Sequence, residues 1–321
     1  MAGRYIPILW LWAALTVLAA PAAAGPVSPD TLRSVVSVLP EWPKGRDVPA
    51  DVKRARRERP EGTGVAVFEG GYLATNVHVL RGSTSVRVRL ADGRILPAEI
   101  VGLDAPTDIA LIKASVDLPV LEAGPEPALA DPVCAIGNQF GLGLSVTCGV
   151  VSATHRSGVG FNPIEDFIQT DAVVNPGASG GALVDGQGRL VGLVSAIFTK
   201  EVDANVGVNF AASLPLVMRV VEDLKATGRV IRSRLGLRVE DLPEAARKTG
   251  AGAGVVRVQA KGAAEAAGLR PGDVIVEIAG RKILKASGVT SAVHLFRRGD
   301  AFDLTFRRSG ETKRVTVTLR K

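Results

Sequence analysis

The sequence is poor in several residue types, and each scarcity narrows the classes of protein it can belong to. Aromatic residues make up only 4% of the 321 residues, whereas glycine occurs 36 times. This balance favours many short strands and turns over packed helices. Only two cysteines and three histidines are present, and they form no Cys/His cluster in the sequence that could bind a metal ion. No period of 20 to 50 residues recurs, which excludes a repeat array.

Long apolar runs are also rare, and the clearest one lies at the N-terminus. The first 24 residues carry one charge, Arg4, followed by the apolar run Ile6 to Ala20 and then by Ala22-Ala23-Ala24. A short apolar run before small residues is typical of an export signal with a cleavage site. We expect residues 1–24 to be a cleaved signal peptide, with a retained membrane anchor as the alternative. Either outcome places the remaining chain outside the cytoplasm, in the periplasm or outside the cell.

The positive charge is moderate and partly concentrated. The formal net charge is +7, and much of it lies in the run Lys53-Arg54-Ala55-Arg56-Arg57-Glu58-Arg59. We interpret residues 25–60 as an N-terminal strand and a solvated basic loop. No recognisable nucleic-acid module accompanies the run, so DNA and RNA are not expected partners.

Short strands dominate the chain from Ser34 onward. Alternating runs such as Ser85 to Leu90 predict strands, and Asp92-Gly93 and Asp185-Gly186 predict hairpin turns. Strands without intervening amphipathic helices favour antiparallel barrels or a sandwich. One helix is expected from about Leu214 to Gly228, with Leu216, Val220 and Leu224 at four-residue spacing. A smaller mixed α/β unit follows beyond Arg232, and its apolar stripe of Val289, Ala292, Val293 and Phe296 predicts a second helix.

The stretch from Gln169 to Leu183 contains the strongest catalytic signal. Ser179 lies between Gly177 and Gly180-Gly181, so its hydroxyl can project while neighbouring N–H groups converge on one point. This is the geometry of an acyl-transfer nucleophile. A glycine-rich turn whose serine caps a strand is the structural alternative. The GxSxG elbow of α/β-hydrolases does not fit, because a hairpin instead of a helix follows the serine.

The partners of such a serine follow by elimination. His78 ends an apolar strand, whereas His155 is expected in a surface loop and His294 belongs to the later module. Asp108 precedes the apolar run Ile109 to Ile112, so its carboxylate can be partly buried and can orient an imidazole. Asp104 is interpreted as a turn residue. The order His78, Asp108, Ser179 is that of one known triad.

Cys134 and Cys148 are placed symmetrically about Gly141. An antiparallel hairpin would set them opposite each other, and in an oxidising compartment two cysteines tend to pair. The sequence is compatible both with a disulfide between them and with two reduced thiols in the core.

These motifs together resemble the HtrA/Deg family of trypsin-like serine proteases. The resemblance covers residues 31 to 321 and rests on His78 in ATNVHV, Asp108 in DAPTDIALIK, the Gly137-to-Gly143 turn and the QTDAVVNPGASGGAL stretch. It implies a mainly β fold, with a chymotrypsin-like double β-barrel protease domain over residues 31–228 whose two six-stranded barrels hold the triad in their cleft. A small α+β PDZ domain over residues 233–321 would follow.

The resemblance also implies site residues and partners. The backbone N–H groups of Gly177 and Ser179 would form the oxyanion hole, and Arg234-Leu235-Gly236-Leu237 would form the PDZ carboxylate-binding loop. Family members generally form trimers, so a homotrimer is a possible assembly. The sequence departs from the family at Ala178 and Ala182, where the family usually has Asn and Pro.

We therefore expect an exported serine endopeptidase that degrades unfolded or damaged proteins without a metal or cofactor. Val173 and Val174 would line the specificity pocket and favour cleavage after small aliphatic residues. The PDZ domain would bind peptide C-termini. That its occupancy switches the protease on is a hypothesis that rests on the family resemblance alone. The alternatives are a non-catalytic peptide-binding chaperone and a membrane-anchored regulatory protease of a stress signal.

Overall fold

A computed structural model of the chain describes residues 27–42, 61–197, 207–247 and 250–320. The predicted signal peptide (1–24) and the basic run Lys53 to Arg59 lie outside the described residues. Among the helices of the described residues, none has the length and apolar character needed to cross a bilayer.

Two closed six-stranded antiparallel barrels form the larger part of the fold, as predicted. The strands of the first barrel follow the order β1-β2-β3-β6-β5-β4: β1 Val35–Glu41, β2 Gly62–Phe68, β3 Tyr72–Asn76, β4 Ser85–Arg89, β5 Ile95–Asp104 and β6 Ile109–Ala114. Those of the second follow the order β10-β11-β12-β9-β8-β7: β7 Pro132–Gly137, β8 Ser145–Arg156, β9 Phe167–Thr170, β10 Ala182–Asp185, β11 Leu190–Ile197 and β12 Asn209–Ser213.

Alternation in the sequence sets the inward faces of these strands. In β4, Val86 and Val88 are buried, while Arg87 and Arg89, which alternate with them, are partly exposed. The turn after β4 is the predicted Asp92-Gly93 hairpin, and the Asp92 carboxylate accepts the Arg94 N–H at 3.0 Å. Two short helices, α1 Pro29–Arg33 and α2 Val77–Leu80, accompany the first barrel, and a 3₁₀ turn, Gln139–Gly141, follows β7.

One helix, α3 Leu214–Thr227, closes the double barrel close to its predicted bounds. Its predicted stripe of Leu216, Val220 and Leu224 is at most 2% exposed and joins one apolar core with residues of both barrels. The helix ends at Gly228, whose φ of +71° is the left-handed cap that glycine favours. Because this core is continuous across the two barrels, they form one body.

The remaining residues form a separate sheet and core. Its strands lie in the order β13-β14-β15-β17-β18, with β16 beside β15: β13 Leu237–Asp241, β14 Ala253–Val258, β15 Val274–Ile278, β16 Arg281–Lys282, β17 Ala301–Arg308 and β18 Glu311–Thr318. Its helices are α4 Glu244–Arg247, α5 Ala263–Ala266 and α6 Ala286–Val293. The predicted helical stripe ended at Phe296, but α6 ends at Val293 and Phe296 stacks on Phe302 with ring centroids 4.5 Å apart. The domain limits 31–228 and 233–321 stay predictions.

Candidate active site

His78 and Asp108 meet because their segments are neighbours in the first barrel. Strand β3 ends at Asn76, which is paired in register with Ile109, the residue after Asp108. The Asn76 side-chain amide donates to the Asp108 carbonyl at 2.9 Å, and the Val77 N–H donates to the same oxygen at 3.1 Å. These bonds fasten the end of β3 to the turn that carries Asp108.

The Asp108 carboxylate contacts His78 with both oxygens. Oδ2 lies 2.6 Å from His78 Nδ1, and Oδ1 accepts the His78 backbone N–H at 2.9 Å. The Asp108 side chain is 13% exposed, whereas that of His78 is 42% exposed. Asp108 has a φ of +59°, an uncommon conformation that aspartate tolerates better than most residues. The ring is therefore oriented by a partly buried carboxylate and leaves Nε2 available on its other side.

Ser179 lies in the turn before β10, against the first barrel. The Thr63 N–H donates to its carbonyl at 2.9 Å. A Cβ added at Gly180 would lie 2.4 Å from Thr75 Oγ1, three residues before His78, so the serine turn packs closely against the end of β3. Ser179 Oγ donates to the carbonyl of Ser195 at 3.4 Å. Within the described residues, no hydrogen bond joins Ser179 to His78 in this arrangement.

The peptide unit that carries the Gly177 N–H is held by its carbonyl. The Pro176 oxygen accepts the Phe140 N–H at 2.7 Å, and the N–H of the same planar unit points the opposite way. Gly177 has a φ of +97°, and a Cβ there would lie 2.3 Å from the Asn138 oxygen, so only glycine fits.

The unit that carries the Ser179 N–H is held in the same manner. The Ala178 oxygen accepts the Gly181 N–H at 2.9 Å. Among the hydrogen bonds of the described residues, none has the N–H of Gly177 or Ser179 as its donor. Two unpaired N–H groups beside a serine hydroxyl can bind a developing oxyanion.

The two residues predicted to line the specificity pocket differ in exposure. Val174 is 4% exposed and belongs to the apolar core of the second barrel, whereas Val173 is 42% exposed. The Val173 carbonyl accepts the Thr147 hydroxyl at 2.5 Å, which fixes the segment. Val173 is thus the one of the two whose side chain is open to solvent.

The predicted peptide-binding loop of the smaller unit precedes its edge strand. Arg234 is exposed and Leu235 is 4% exposed, while Gly236 has a φ of +74°. The carbonyls of Leu235 and Gly236 accept the N–H groups of Ala264 and Gln259 at 2.9 and 2.7 Å. Their own N–H groups have no acceptor in the described part of the chain.

Cys134 and Cys148 are joined by a disulfide. They face each other in the register of β7 and β8, as the predicted hairpin about Gly141 requires. Elsewhere, no group of three or more His, Cys, Asp or Glu side chains able to hold a metal ion was found in the described ranges.

One expectation about a charged residue was wrong, and another was incomplete. His155 is the penultimate residue of β8 instead of a surface-loop residue, and its ring contacts Asp166 at 3.3 Å and Glu126 at 3.0 Å. Asp104 begins a turn as predicted, since its carbonyl accepts the Thr107 N–H at 3.2 Å, but it is also 4% exposed and pairs with Arg232. No local signal could reveal these contacts, because most of the partners are remote in sequence.

Sequence reasoning also missed the most buried charge, Asp166. Arg281 of the smaller unit donates to it at 2.8 Å, and the Ser213 hydroxyl donates at 2.6 Å. Burial alone would raise the pKa of the Asp166 carboxyl, but His155, Arg281 and Ser213 together hold it well below its ordinary value. An ionised carboxylate therefore joins the second barrel to the smaller unit.

Comparisons with known proteins agree with this architecture. The model of the trypsin-like peptidase domain matches residues 62–193, and that of the PDZ domain matches residues 233–319. Two paired barrels followed by such a unit define a trypsin-like peptidase fold with one PDZ domain. A probable periplasmic serine endoprotease, DegP-like, from Marinomonas sp. (strain MWYL1) is 38% identical over 266 residues, which is 80% of this chain and 56% of that protein.

A DegP-like relative from Halomonas elongata is 36% identical, over 83% of this chain and 57% of its own. The solved HtrA-type protease AlgW with tripeptide is 36% identical with a TM-score of 0.68, covering 91% of this chain and 94% of that one. The serine endoprotease from Yersinia pestis is 32% identical with a TM-score of 0.56, covering 91% and 95%. The chain belongs to the HtrA/Deg family. It spans little more than half the length of the curated relatives it matches.

Proposed function

We propose that this protein is an exported serine endopeptidase that hydrolyses peptide bonds in unfolded or damaged polypeptides. The observation that carries the proposal is the orientation of His78 by both oxygens of Asp108, beside a serine turn with two unpaired N–H groups. The names of the relatives, periplasmic serine endoproteases, support both the reaction and the export.

The mechanism follows from the roles of these groups. Asp108 keeps the proton of the imidazole on Nδ1, so Nε2 of His78 can take the proton of Ser179 Oγ as the oxygen attacks the carbonyl carbon. The N–H groups of Gly177 and Ser179 stabilise the oxyanion that forms. His78 then protonates the leaving amine as the C–N bond breaks. In the second half, His78 takes a proton from water as its oxygen attacks the acyl carbon, and returns a proton to Ser179 Oγ as the ester C–O bond breaks.

The Ser179 hydroxyl bonds to the Ser195 carbonyl, so it must leave that carbonyl before it can bond to His78 Nε2. Catalytic hydrogen bonds are often long in the absence of substrate and tighten in the complex. The same contact favours a second candidate function, a peptide-binding chaperone that holds unfolded chains without cutting them.

One assay separates the two functions. We expect the parent to degrade denatured casein and Ser179→Ala to leave it intact, while the control Ser85→Ala, an exposed serine bonded to Glu41, matches the parent. Equal degradation by the parent and Ser179→Ala would refute the hydrolase. Mass spectrometry of the digest tests the pocket: Val173 carries no charge to pair with lysine or arginine, so most cuts should follow Val or Ala. A majority after Lys or Arg would refute that part.

The smaller unit provides the proposed peptide groove. Strand β13 lies at the edge of its sheet, so an extended peptide can add there as a further strand. The unpaired N–H groups of Leu235 and Gly236 precede this strand and would receive the terminal carboxylate. That solved AlgW chains contain a tripeptide or a decapeptide supports a peptide ligand. Homotrimer assembly is also part of the proposal, and sedimentation of the purified protein tests it.

A further inference from the structure

We propose that Thr63 is a positioning residue that sets the serine turn against the histidine strand; the inference rests on the proposed hydrolase function. Thr63 lies in β2 and is fully buried. Its hydroxyl donates to the Gly177 carbonyl at 2.7 Å and accepts the Asn138 N–H at 2.9 Å. Its own N–H donates to the Ser179 carbonyl at 2.9 Å.

These bonds connect the two halves of the site. Ser179 belongs to the second barrel and His78 to the first, so some contact must set the distance between them. Thr63 contacts the serine turn at two carbonyls, and its own carbonyl accepts the Thr75 hydroxyl at 2.7 Å. Thr75 lies in β3, three residues before His78. The chain of hydrogen bonds thus runs from the histidine strand through Thr63 to the serine turn.

The hydroxyl of Thr63 also acts on the oxyanion-binding side. Gly177 follows the peptide unit whose oxygen bonds to Phe140, and Asn138 begins the turn that contains Phe140. The Thr63 hydroxyl bonds to Gly177 through the Gly177 carbonyl and to Asn138 through the Asn138 N–H. Its loss would loosen both segments that orient the Gly177 N–H.

Apart from the nucleophile itself, the serine turn has no side chain that could hydrogen-bond to the first barrel. From Gly177 to Gly181 its only polar side chain is that of Ser179. Ala178 is 1% exposed and carries no hydrogen-bonding atom at the position where the family usually has Asn. Among the hydrogen bonds of the described residues, the bond from a first-barrel side chain to these five residues is that of the Thr63 hydroxyl.

The test compares Thr63→Val with Thr63→Ser. Valine keeps the shape and the backbone N–H bond but leaves the Gly177 carbonyl and the Asn138 N–H without their buried partner. On a peptide substrate we expect Thr63→Val to lower kcat at least about tenfold with KM changed less than about threefold, because an interaction made mainly in the transition state is weakened. Affinity for a peptide boronic acid, which forms a tetrahedral adduct on the serine, should fall by the same factor. Thr63→Ser should restore both.

Thr170→Val is the matched control. The hydroxyl of Thr170 is equally buried and also bridges a carbonyl and an N–H, those of Val150 and Ala172, without touching the serine turn. Its kcat should stay within about twofold of the parent. Should Thr63→Val fail to fold, Thr63→Ala is compared with Thr63→Ser, since the two differ by one hydroxyl.

Two results would overturn the inference while leaving the hydrolase intact: a kcat for Thr63→Val equal to that of Thr170→Val, or a Thr63→Ser variant as slow as Thr63→Val. A parent no more active than Ser179→Ala would instead refute the proposed function, and the role of Thr63 with it.

Discussion

Replacing Arg281 should weaken the attachment of the PDZ domain to the second barrel. Its guanidinium donates to Asp166 at 2.8 Å and to Glu126 at 3.2 Å, and both acids belong to the peptidase domain. The Asp166 side chain is fully buried, while the Arg281 side chain is 14% exposed. Arg281→Met removes the charge and keeps an unbranched apolar side chain in its place.

The magnitude follows from the partners that remain. Removing one member of a buried ion pair costs about 3–5 kcal/mol when the other charge is left alone. Asp166 keeps the Ser213 hydroxyl at 2.6 Å and the His155 ring at 3.3 Å, which reduces the penalty. The contact with Glu126, 43% exposed, contributes little. We therefore expect a loss of about 2 kcal/mol in the free energy of unfolding at pH 7.

The pH dependence supplies a second signature. The pKa of Asp166 is lower in the folded state than its value of 3.8 in the unfolded chain. Its contribution to the free energy of unfolding is therefore present above pH 3.8 and is lost as the pH falls from there toward the folded-state pKa. The difference in the free energy of unfolding between the parent and Arg281→Met should therefore become smaller below about pH 4.

Urea unfolding followed by circular dichroism measures both effects. Arg314→Met is the control, since Arg314 is 66% exposed and pairs with Asp303 within the PDZ domain, so its loss should leave the free energy of unfolding nearly unchanged. If Arg281→Met is no less stable than Arg314→Met at pH 7, the assigned role of the buried pair is wrong.

Two further predictions concern the PDZ domain. Burial of His294, together with the charge of Arg232, lowers its pKa to about 4, so protonation favours the unfolded chain and stability should fall as the pH drops from 6.5 toward 4. His294→Gln should make that fall shallower by about 1–2 kcal/mol in urea titrations at successive pH values, and an unchanged slope would contradict the assignment. For the groove, fluorescence anisotropy compares a labelled peptide that has a free C-terminal carboxylate with the same peptide as its C-terminal amide. The carboxylate form should bind at least about tenfold more tightly, because Leu235 and Gly236 offer N–H groups to an anion. Equal affinities would exclude carboxylate binding at this loop.

Much of the fold could be predicted from local pattern. Alternation in Ser85 to Arg89 and the Asp92-Gly93 turn gave a correct hairpin, and the four-residue spacing of Leu216, Val220 and Leu224 gave the correct buried face of α3. These features depend on residues close in sequence, so the pattern records them. The symmetry of the two cysteines about Gly141 correctly predicted that they face each other in a hairpin, for the same reason.

Contacts between remote residues were beyond this reasoning. Asp104 was correctly interpreted as a turn residue from Pro106 nearby, but its pair with Arg232, 128 positions away, left no local signal. His155 was assigned to the surface because its neighbours are polar, although the fold places Asp166 beside it. In the candidate site, His78, Asp108 and Ser179 could be proposed from residue type and order. Thr63 could not, because a threonine in a strand has no distinguishing signal.

Ala178 stands where the family usually has Asn, and the structure separates two requirements of the site: the orientation of its N–H groups and the location of the serine turn. The orientation of the two unpaired N–H groups depends on main-chain bonds, from Phe140 to the Pro176 carbonyl and from Gly181 to the Ala178 carbonyl. Neither bond uses the side chain at position 178, so alanine there leaves the orientation intact. The location of the turn relative to His78 is a different requirement, and a main-chain motif within one barrel cannot meet it. Because Thr63 reaches the turn from the other barrel, the chain can lose a polar residue beside the nucleophile and still keep the turn in register with the histidine.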